Sequence, residues 1–479
     1  MECRNLVGGE WVHARCGGTS GVCDPATGIE FARVPCGGTN DALSALNAAH
    51  GALDLWRSQS VQVRSALLVR VADSLRQRSH ELAQIITSEN GKPIEEALGE
   101  VHYSADFFTS AAHEALRLAS ETIASNQPLR IRQALPEPVG VVAAMTPWNF
   151  PLAMLARKCA PALAAGCTLV AKPSDLTPLS ALALGETLVQ CGLPHGVVNI
   201  ITGTPGVIAE TWLRDGRVRA LSFTGSTAVG RRLIELSAQQ LVRLSLELGG
   251  HAPLIVLEDA EIESAVEGAV AGKFRATGQT CISPNRFFVS DRVYDEFVER
   301  FARASSELPI GRGVTPGIRI GPLISDAAVH KVRLHVDDAR ARGGRILTGG
   351  STVPVSGCLD RFFAPTVIAD ATSEMLCCRE ETFGPVAPIV RVRDEMEAVT
   401  LANASPFGLA GYVFSADPMR IERMARQLNC GIVGVNTTVV SDASAPFGGR
   451  GWSGYGREGG RWGVEEFISW KYTCTATPS

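Results

Sequence analysis

The rhythm of hydrophobic positions changes near residue 139, and the change separates two kinds of element. Before it, apolar residues recur at helical spacing. Val63, Ala66, Leu67, Val71, Leu75, Leu82 and Ile85 fall near one helical face, because residues three and four apart stack on a 3.6-residue period. The pattern predicts helices over about 41–57, 61–90 and 95–118. The middle one stops at Asn90-Gly91-Lys92-Pro93, where Gly supplies a left-handed cap and Pro forbids continuation. Residues 1–38, rich in Gly, read as short strands and turns.

Beyond that point the texture is different. Val139–Met145 and Thr168–Lys172 are short apolar runs without alternation, as in strands buried on both faces, and Val197–Ile201, Val218–Phe223 and Arg243–Leu248 read as further strands. Helical segments near 152–165, 178–191 and 228–239 lie between them. Strand and helix alternate five times, which predicts a parallel sheet with helices on both faces. Ligands of such sheets bind beyond the carboxyl ends of the strands. The loops there are Thr146–Pro151, Lys172–Asp175 and Thr224–Thr227. A second alternating region, Leu254 to about Val435, predicts a second α/β domain. Leu129-Arg130-Ile131-Arg132 and Ile468–Cys474 alternate with period two and read as strands with one wet face. A strand so near the C-terminus needs a sheet to join, and a neighbouring subunit is one source.

Composition narrows the function. The 479 residues imply two or three domains, and 45% hydrophobic with 20% charged residues fits a globular protein. A net charge of −4 gives no electrostatic basis for nucleic-acid or membrane binding. A long uncharged stretch, Val139–Ala156, contains Pro147, Trp148, Asn149 and Pro151, which would break a membrane helix. The N-terminus lacks the apolar core of a signal peptide. Thirteen cysteines at irregular spacing, with no C-x-x-C, read as reduced thiols in the cytoplasm. The nine histidines are scattered; His330 and His335 are off the spacing of a metal pair, so no metal is expected.

Three positions carry candidate chemistry. Gly225 and Ser226 sit at a strand-to-helix turn, where Gly allows close backbone approach and a helix N-terminus suits a pyrophosphate. Glu247 ends an apolar strand; if buried, desolvation raises its pKa toward that of a general base, and if not, it is a solvated acid. Cys281 has small, polar neighbours in Gly278-Gln279-Thr280-Cys281-Ile282-Ser283-Pro284, so its thiol can be reached and activated. Gly454-Tyr455-Gly456-Arg457-Glu458-Gly459 matches G-x-G-x-x-G, but no buried strand precedes it and too little chain follows for a βαβ unit. It reads as a flexible loop.

At these residues the sequence resembles the NAD(P)-dependent aldehyde dehydrogenase superfamily. The motifs are Pro147-Trp148-Asn149-Phe150-Pro151, Phe223-Thr224-Gly225-Ser226, Leu246-Glu247-Leu248-Gly249-Gly250, Gly278-Gln279-Thr280-Cys281, Glu381-Thr382-Phe383-Gly384-Pro385 and Pro446-Phe447-Gly448-Gly449, in the family's order. The resemblance implies an α/β fold with a Rossmann-variant cofactor domain, an α/β catalytic domain and a small β oligomerisation arm. It places the NAD(P)-binding domain at 1–118 and 139–248, the catalytic domain at 249–448, and oligomerisation or bridging segments at 119–138 and 449–479. It implies Cys281 as nucleophile, Asn149 with the Cys281 N–H as oxyanion hole, and Glu247 as the base for thioester hydrolysis. Family members that transfer the acyl group to coenzyme A commonly lack that acid. Thr146, Pro147, Trp148, Lys172, Ser174, Asp175, Gly225, Ser226, Leu248, Glu381 and Phe383 match cofactor-binding positions. A homodimer or homotetramer is implied, acting on a small aldehyde.

Among subfamilies the chain is most similar to succinate-semialdehyde dehydrogenases, through Trp148–Pro151, Ala153-Met154, Arg157-Lys158, Ala162–Thr168 and Lys273-Phe274-Arg275. There the positions of Arg157, Arg275 and Ser441 hold the distal carboxylate, and each guanidinium can offer two parallel donors. Glutarate semialdehyde, phosphonoacetaldehyde and a broad aldehyde range remain alternatives, as does a non-catalytic protein on the same scaffold. Some of these relatives carry a second cysteine two residues after the nucleophile; Ser283 stands there, so that redox switch is not expected. Asp175 disfavours the 2′-phosphate of NADP by charge, so NAD is the expected cofactor.

Overall fold

A computed structural model describes residues 3–124 and 130–476. Leu129 of the first alternating run lies outside them, as do Met1, Glu2 and residues 477–479 of the two terminal segments.

The expected parallel sheet is present. Its core runs in the order Arg243–Glu247, Val218–Thr224, Val141–Met145, Thr168–Lys172, Val198–Ile200, all parallel. Asn5–Val7 and Glu10–Val12 extend it antiparallel beyond Val198–Ile200. Val141–Met145 and Thr168–Lys172 are buried at every position, which is why they show no alternation. The helix Pro151–Ala165 is buried on all sides despite Pro161 within it. The second region forms a seven-stranded sheet in the order Arg345–Thr348, Thr366–Ala369, Val386–Val392, Pro284–Ser290, Ala252–Val256, Ala410–Phe414, Ile432–Val435. All its pairs are parallel except that of Arg345–Thr348.

Three expectations change. The helix read over 61–90 is two helices, Val61–Gln77 and Ser79–Asn90, broken at Arg78 (φ −92°, ψ 14°). Leu75 and Leu82 are both fully inside and two turns apart, so the apolar rhythm runs straight across the break. Arg78 itself turns to ion pairs with Glu81 at 2.6 Å and Glu186 at 2.7 Å. The C-terminal strand finds its sheet within the chain. Ile468–Ala476 pairs antiparallel with Arg130–Pro138, from Ile468 opposite Pro138 to Ala476 opposite Arg130, and Glu121–Thr122 completes three strands. Finally, the G-x-G-x-x-G segment is no flexible loop. Gly454–Tyr455 pairs antiparallel with Leu246 and Glu247 and forms the far edge of the first sheet.

Consecutive strands Arg243–Glu247 and Ala252–Val256 belong to different sheets. Leu248–His251 therefore crosses between them. The carboxyl edge of the first sheet faces the amino ends of the second along this crossing, and there the candidate residues gather.

Candidate active site

Asn149, Lys172, Gly225 and Glu247 lie at or just past the carboxyl ends of first-sheet strands. Cys281 precedes Pro284–Ser290 and Glu381 precedes Val386–Val392, both in the second sheet. The two edges enclose a cavity of about 300 Å³. Its walls hold Pro147, Trp148, Asn149, Arg157, Gly225, Ser226, Leu248, Arg275, Cys281, Glu381, Phe383 and Ser441. Thr146, Lys172, Ser174, Asp175 and Glu247 were expected with these and are not in that wall.

The nucleophile loop is strained. Ala276, Thr277 and Gly278 all have positive φ (48°, 58° and 75°), a region costly for residues with a Cβ. Three bonds hold the turn. The N–H of Ala276 donates to Glu96 at 2.7 Å, Thr277 Oγ1 donates to the Gly321 carbonyl at 3.2 Å, and Gln279 Nε2 donates to the Ala276 carbonyl at 3.2 Å. Cys281 keeps partial exposure to the cavity. Burial of its thiol, with the nearby Glu381 and Glu247 carboxylates, pushes the pKa up to about 12, so the resting sulfur is a neutral thiol.

Asn149 is 5% exposed, and its Nδ2 donates to the carbonyl of Gln279 at 3.1 Å. That bond uses one amide hydrogen and leaves the other free. Glu247 is 2% exposed, and neither carboxyl oxygen has a hydrogen-bond partner. Burial, then Glu458, raise its pKa well above the usual carboxylate range against the pull of Arg157 and Lys158. The buried alternative for Glu247 is the one realised.

Cofactor-side positions are also in place. Gly225 receives its turn from a bond of its N–H to the Glu247 carbonyl at 3.0 Å. Ser226 Oγ caps Thr227–Ser237 by accepting from the Val229 N–H at 3.4 Å. Leu248 is buried, its N–H on the Ser453 carbonyl. Trp148 and Phe383 meet edge to face at 5.5 Å. The N–H of Leu176 donates to Ser174 Oγ at 3.3 Å. Lys172 Nζ lies 2.5 Å from Asp175 Oδ1; burial lowers the lysine pKa and Asp175 works against that. Thr146 Oγ1 is buried with no partner. An orphaned hydroxyl, a capped helix N-terminus and a glycine turn at one sheet edge fit a nicotinamide dinucleotide. Burial raises the pKa of Glu381 to about 7, although the Gly250 N–H holds its Oε1 at 2.8 Å.

Arg157 is 3% exposed, and its Nε lies 2.5 Å from Glu458 Oε2 in an ion pair without hydrogen-bond geometry. Lys158 binds Oε1 of the same acid and donates to Thr224 Oγ1 at 2.6 Å. Sequence reading gave no site role to Glu458 or Lys158. Two adjacent cations inside the otherwise apolar Pro151–Ala165 segment were the available signal, since buried charges need a partner. Among the described residues no group of side chains suits a metal ion, and no helix is long and apolar enough to cross a membrane. All thirteen cysteines are free.

Comparison with known proteins agrees with this architecture. The model of the Aldehyde dehydrogenase family matches residues 11–473. The chain is 44% identical over 469 residues to the succinate-semialdehyde dehydrogenase (NADP(+)) GabD of Escherichia coli (strain K12), covering 98% of this chain and 97% of that one. It is 44% identical over 468 residues to a glutarate-semialdehyde dehydrogenase of Pseudomonas putida, covering 98% and 96%. The crystal structure of succinate-semialdehyde dehydrogenase from Burkholderia pseudomallei superposes with a TM-score of 0.97 at 45% identity, covering 99% and 98%. The chain belongs to the aldehyde dehydrogenase family. It is an oxidoreductase that acts on aldehydes.

Proposed function

We propose that this enzyme oxidises succinate semialdehyde, and less readily glutarate semialdehyde, to the carboxylate, with NAD preferred to NADP. The observation that carries the substrate class is Arg275. It lines the cavity with Cys281, stacks 4.9 Å from the Phe150 ring and has no carboxylate within ion-pair distance among the described residues. A half-buried, unpaired guanidinium is costly, and a substrate carboxylate accepting two parallel N–H groups offsets that cost. Arg157 Nη2, buried without a partner, and the hydroxyls of Tyr103 and Ser441 add donors in the same cavity.

Cys281 Sγ attacks the aldehyde carbon, and its proton passes to Glu247. The C–S bond forms as the carbonyl π pair moves to oxygen, and Asn149 Nδ2 with the Cys281 N–H receives that oxyanion. Losing one such donor typically costs about 3–4 kcal/mol. Thr146, Lys172, Ser174, Asp175, Gly225, Ser226, Leu248, Glu381 and Phe383 would hold the dinucleotide, with Pro147 and Trp148 shaping its nicotinamide side. The nicotinamide, when bound, accepts the hydride. The thioester then left on Cys281 is hydrolysed. Glu247, having released the thiol proton to solvent, takes a proton from water, the water oxygen bonds to the acyl carbon, and the sulfur leaves with its electron pair and regains a proton from Glu247. No metal is required, since two donors stabilise the oxyanion.

Glutarate semialdehyde is the second reading, because the same cation suits a carboxylate one methylene farther away. A steady-state panel of succinate semialdehyde, glutarate semialdehyde and butanal, each with NAD and NADP, tests the assignment. A charged hydrogen bond contributes about 1.5–3 kcal/mol, so kcat/KM for the carboxylated aldehydes is expected about 10- to 150-fold above butanal. Equal values for all three would remove the anion pocket.

A further inference from the structure

Asn149 sits in an irregular loop between Val141–Met145 and Pro151–Ala165. The loop does not hold itself; buried side chains from outside tie it, Asn90 and Thr177 at the Trp148 carbonyl at 3.0 and 3.4 Å, and Lys92 and Glu100 around Asn149 itself. Lys92 Nζ donates to the main-chain carbonyl of Asn149 at 2.6 Å and to Glu100 Oε2 at 2.6 Å. The other oxygen, Glu100 Oε1, accepts the N–H groups of Leu152 at 2.9 Å and Ala153 at 3.2 Å, in the first turn of the following helix. Lys92 also lies 3.9 Å from the centre of the Phe150 ring. Their side chains are 1% and 0% exposed.

A buried ion pair is a poor device for stability, because an apolar pair of equal volume often does as well. Its use here is directional. One end fixes the peptide that follows Asn149, and the other fixes the helix start two residues later. We infer that Lys92 and Glu100 are positioning residues that aim the Asn149 amide at the developing oxyanion, an inference that rests on the role of Asn149 proposed above. The Gln279 carbonyl orients the amide from the nucleophile side. Lys92 sets where the residue bearing that amide stands. Both constraints are needed, since a misplacement of about 1 Å can cost roughly a hundredfold in rate.

A double-mutant cycle of Lys92→Met with Asn149→Ala, read by the rate of the single-turnover NADH burst in the full-length enzyme, tests this. Lys92→Met is expected to slow the burst about 10- to 100-fold while KM for aldehyde and for NAD stays within about twofold. In the Asn149→Ala background the same change should slow it less than about twofold, because Lys92 acts through Asn149. Lys92→Met with a normal burst, or with its full effect kept in Asn149→Ala, overturns the inference. A normal burst in Asn149→Ala alone overturns the oxyanion reading as well. If Lys92→Met does not fold, Glu100→Gln carries the same cycle with the same outcomes.

Discussion

Arg157 Nε and Glu458 Oε2 meet at 2.5 Å inside the protein, whereas Arg275 meets no acid among the described residues. The two arginines therefore differ in what they can offer an anion. Burial works most strongly against the charge on Arg157, yet Glu458 together with Tyr103, Glu247 and Cys281 outweighs it and raises the pKa. Its charge is already matched, and Nη2 remains as a donor. Arg275 keeps both charge and donors. Arg275→Ala should raise KM for succinate semialdehyde about 30- to 100-fold, corresponding to 2–3 kcal/mol, with KM for butanal within about twofold. Arg157→Met should raise the same KM less and lower the urea midpoint of unfolding, since removing one member of a buried pair strands part of the other's charge. Steady-state kinetics and a urea titration read both. Equal KM effects from the two variants would refute this division.

Cys281 should be a slow thiol in the free enzyme. With its pKa pushed up to about 12 by burial and by Glu381 and Glu247, the thiolate fraction rises about tenfold per pH unit up to that value. Iodoacetamide should therefore inactivate the free enzyme with a rate that climbs from pH 7 to pH 10 without levelling. Cys281→Ala should remove both the labelling and the dehydrogenase activity. A plateau near pH 8 would mean that the resting sulfur is already activated.

How much of this was legible in sequence depends on whether a residue's signal is local. The parallel sheet could be read because strands such as Val141–Met145 are apolar at each position, and burial on both faces leaves that trace. The break at Arg78 could not, since Leu75 and Leu82 keep the helical rhythm across it. Cys281, Glu247 and Asn149 stood out through their motifs; the structure brings Cys281 and Asn149 into one cavity wall and the strand-end Glu247 near enough to act on the Cys281 thiol. Glu458 was hidden because its partners, Arg157 and Lys158, lie across the fold. Lys92 was passed over for the same reason: Asn90-Gly91-Lys92-Pro93 looks like a helix stop, and only the tertiary fold brings its amine to Asn149.

The proposed preference for NAD over NADP rests on Asp175 and its pair with Lys172. The two form a 2.5 Å pair with Asp175 half exposed at the surface, so the aspartate both repels an added phosphate and occupies the cation that would bind one. Asp175→Ser removes the acid and frees Lys172. The ratio of kcat/KM for NADP to that for NAD should rise about tenfold or more, as expected when one repulsive charge becomes an available cation near a surface, roughly 1–2 kcal/mol. An unchanged ratio would place the discrimination elsewhere in the site.

Gly250 ties the two sheets to the nucleophile, and its requirement is space rather than backbone freedom. It lies in the crossing from Arg243–Glu247 to Ala252–Val256, with its N–H on Glu381 Oε1 at 2.8 Å. A Cβ there would collide with the carbonyl oxygen of Cys281, a main-chain atom that cannot swing aside. At Gly249 the nearest atom to an added Cβ is Glu381 Oε2, 3.0 Å away at the end of a side chain. Alanine at 250 must therefore shift the loop that carries the nucleophile, and alanine at 249 need only turn a carboxylate. Gly250→Ala is expected to lower kcat/KM at least about a hundredfold and to destabilise the fold by about 1–3 kcal/mol. Gly249→Ala should cost less in stability and fall mainly on KM for NAD, through Glu381. Turnover, NAD affinity and urea midpoints of both variants decide it. Wild-type turnover in Gly250→Ala would show that the Cys281 loop is not held where this contact puts it.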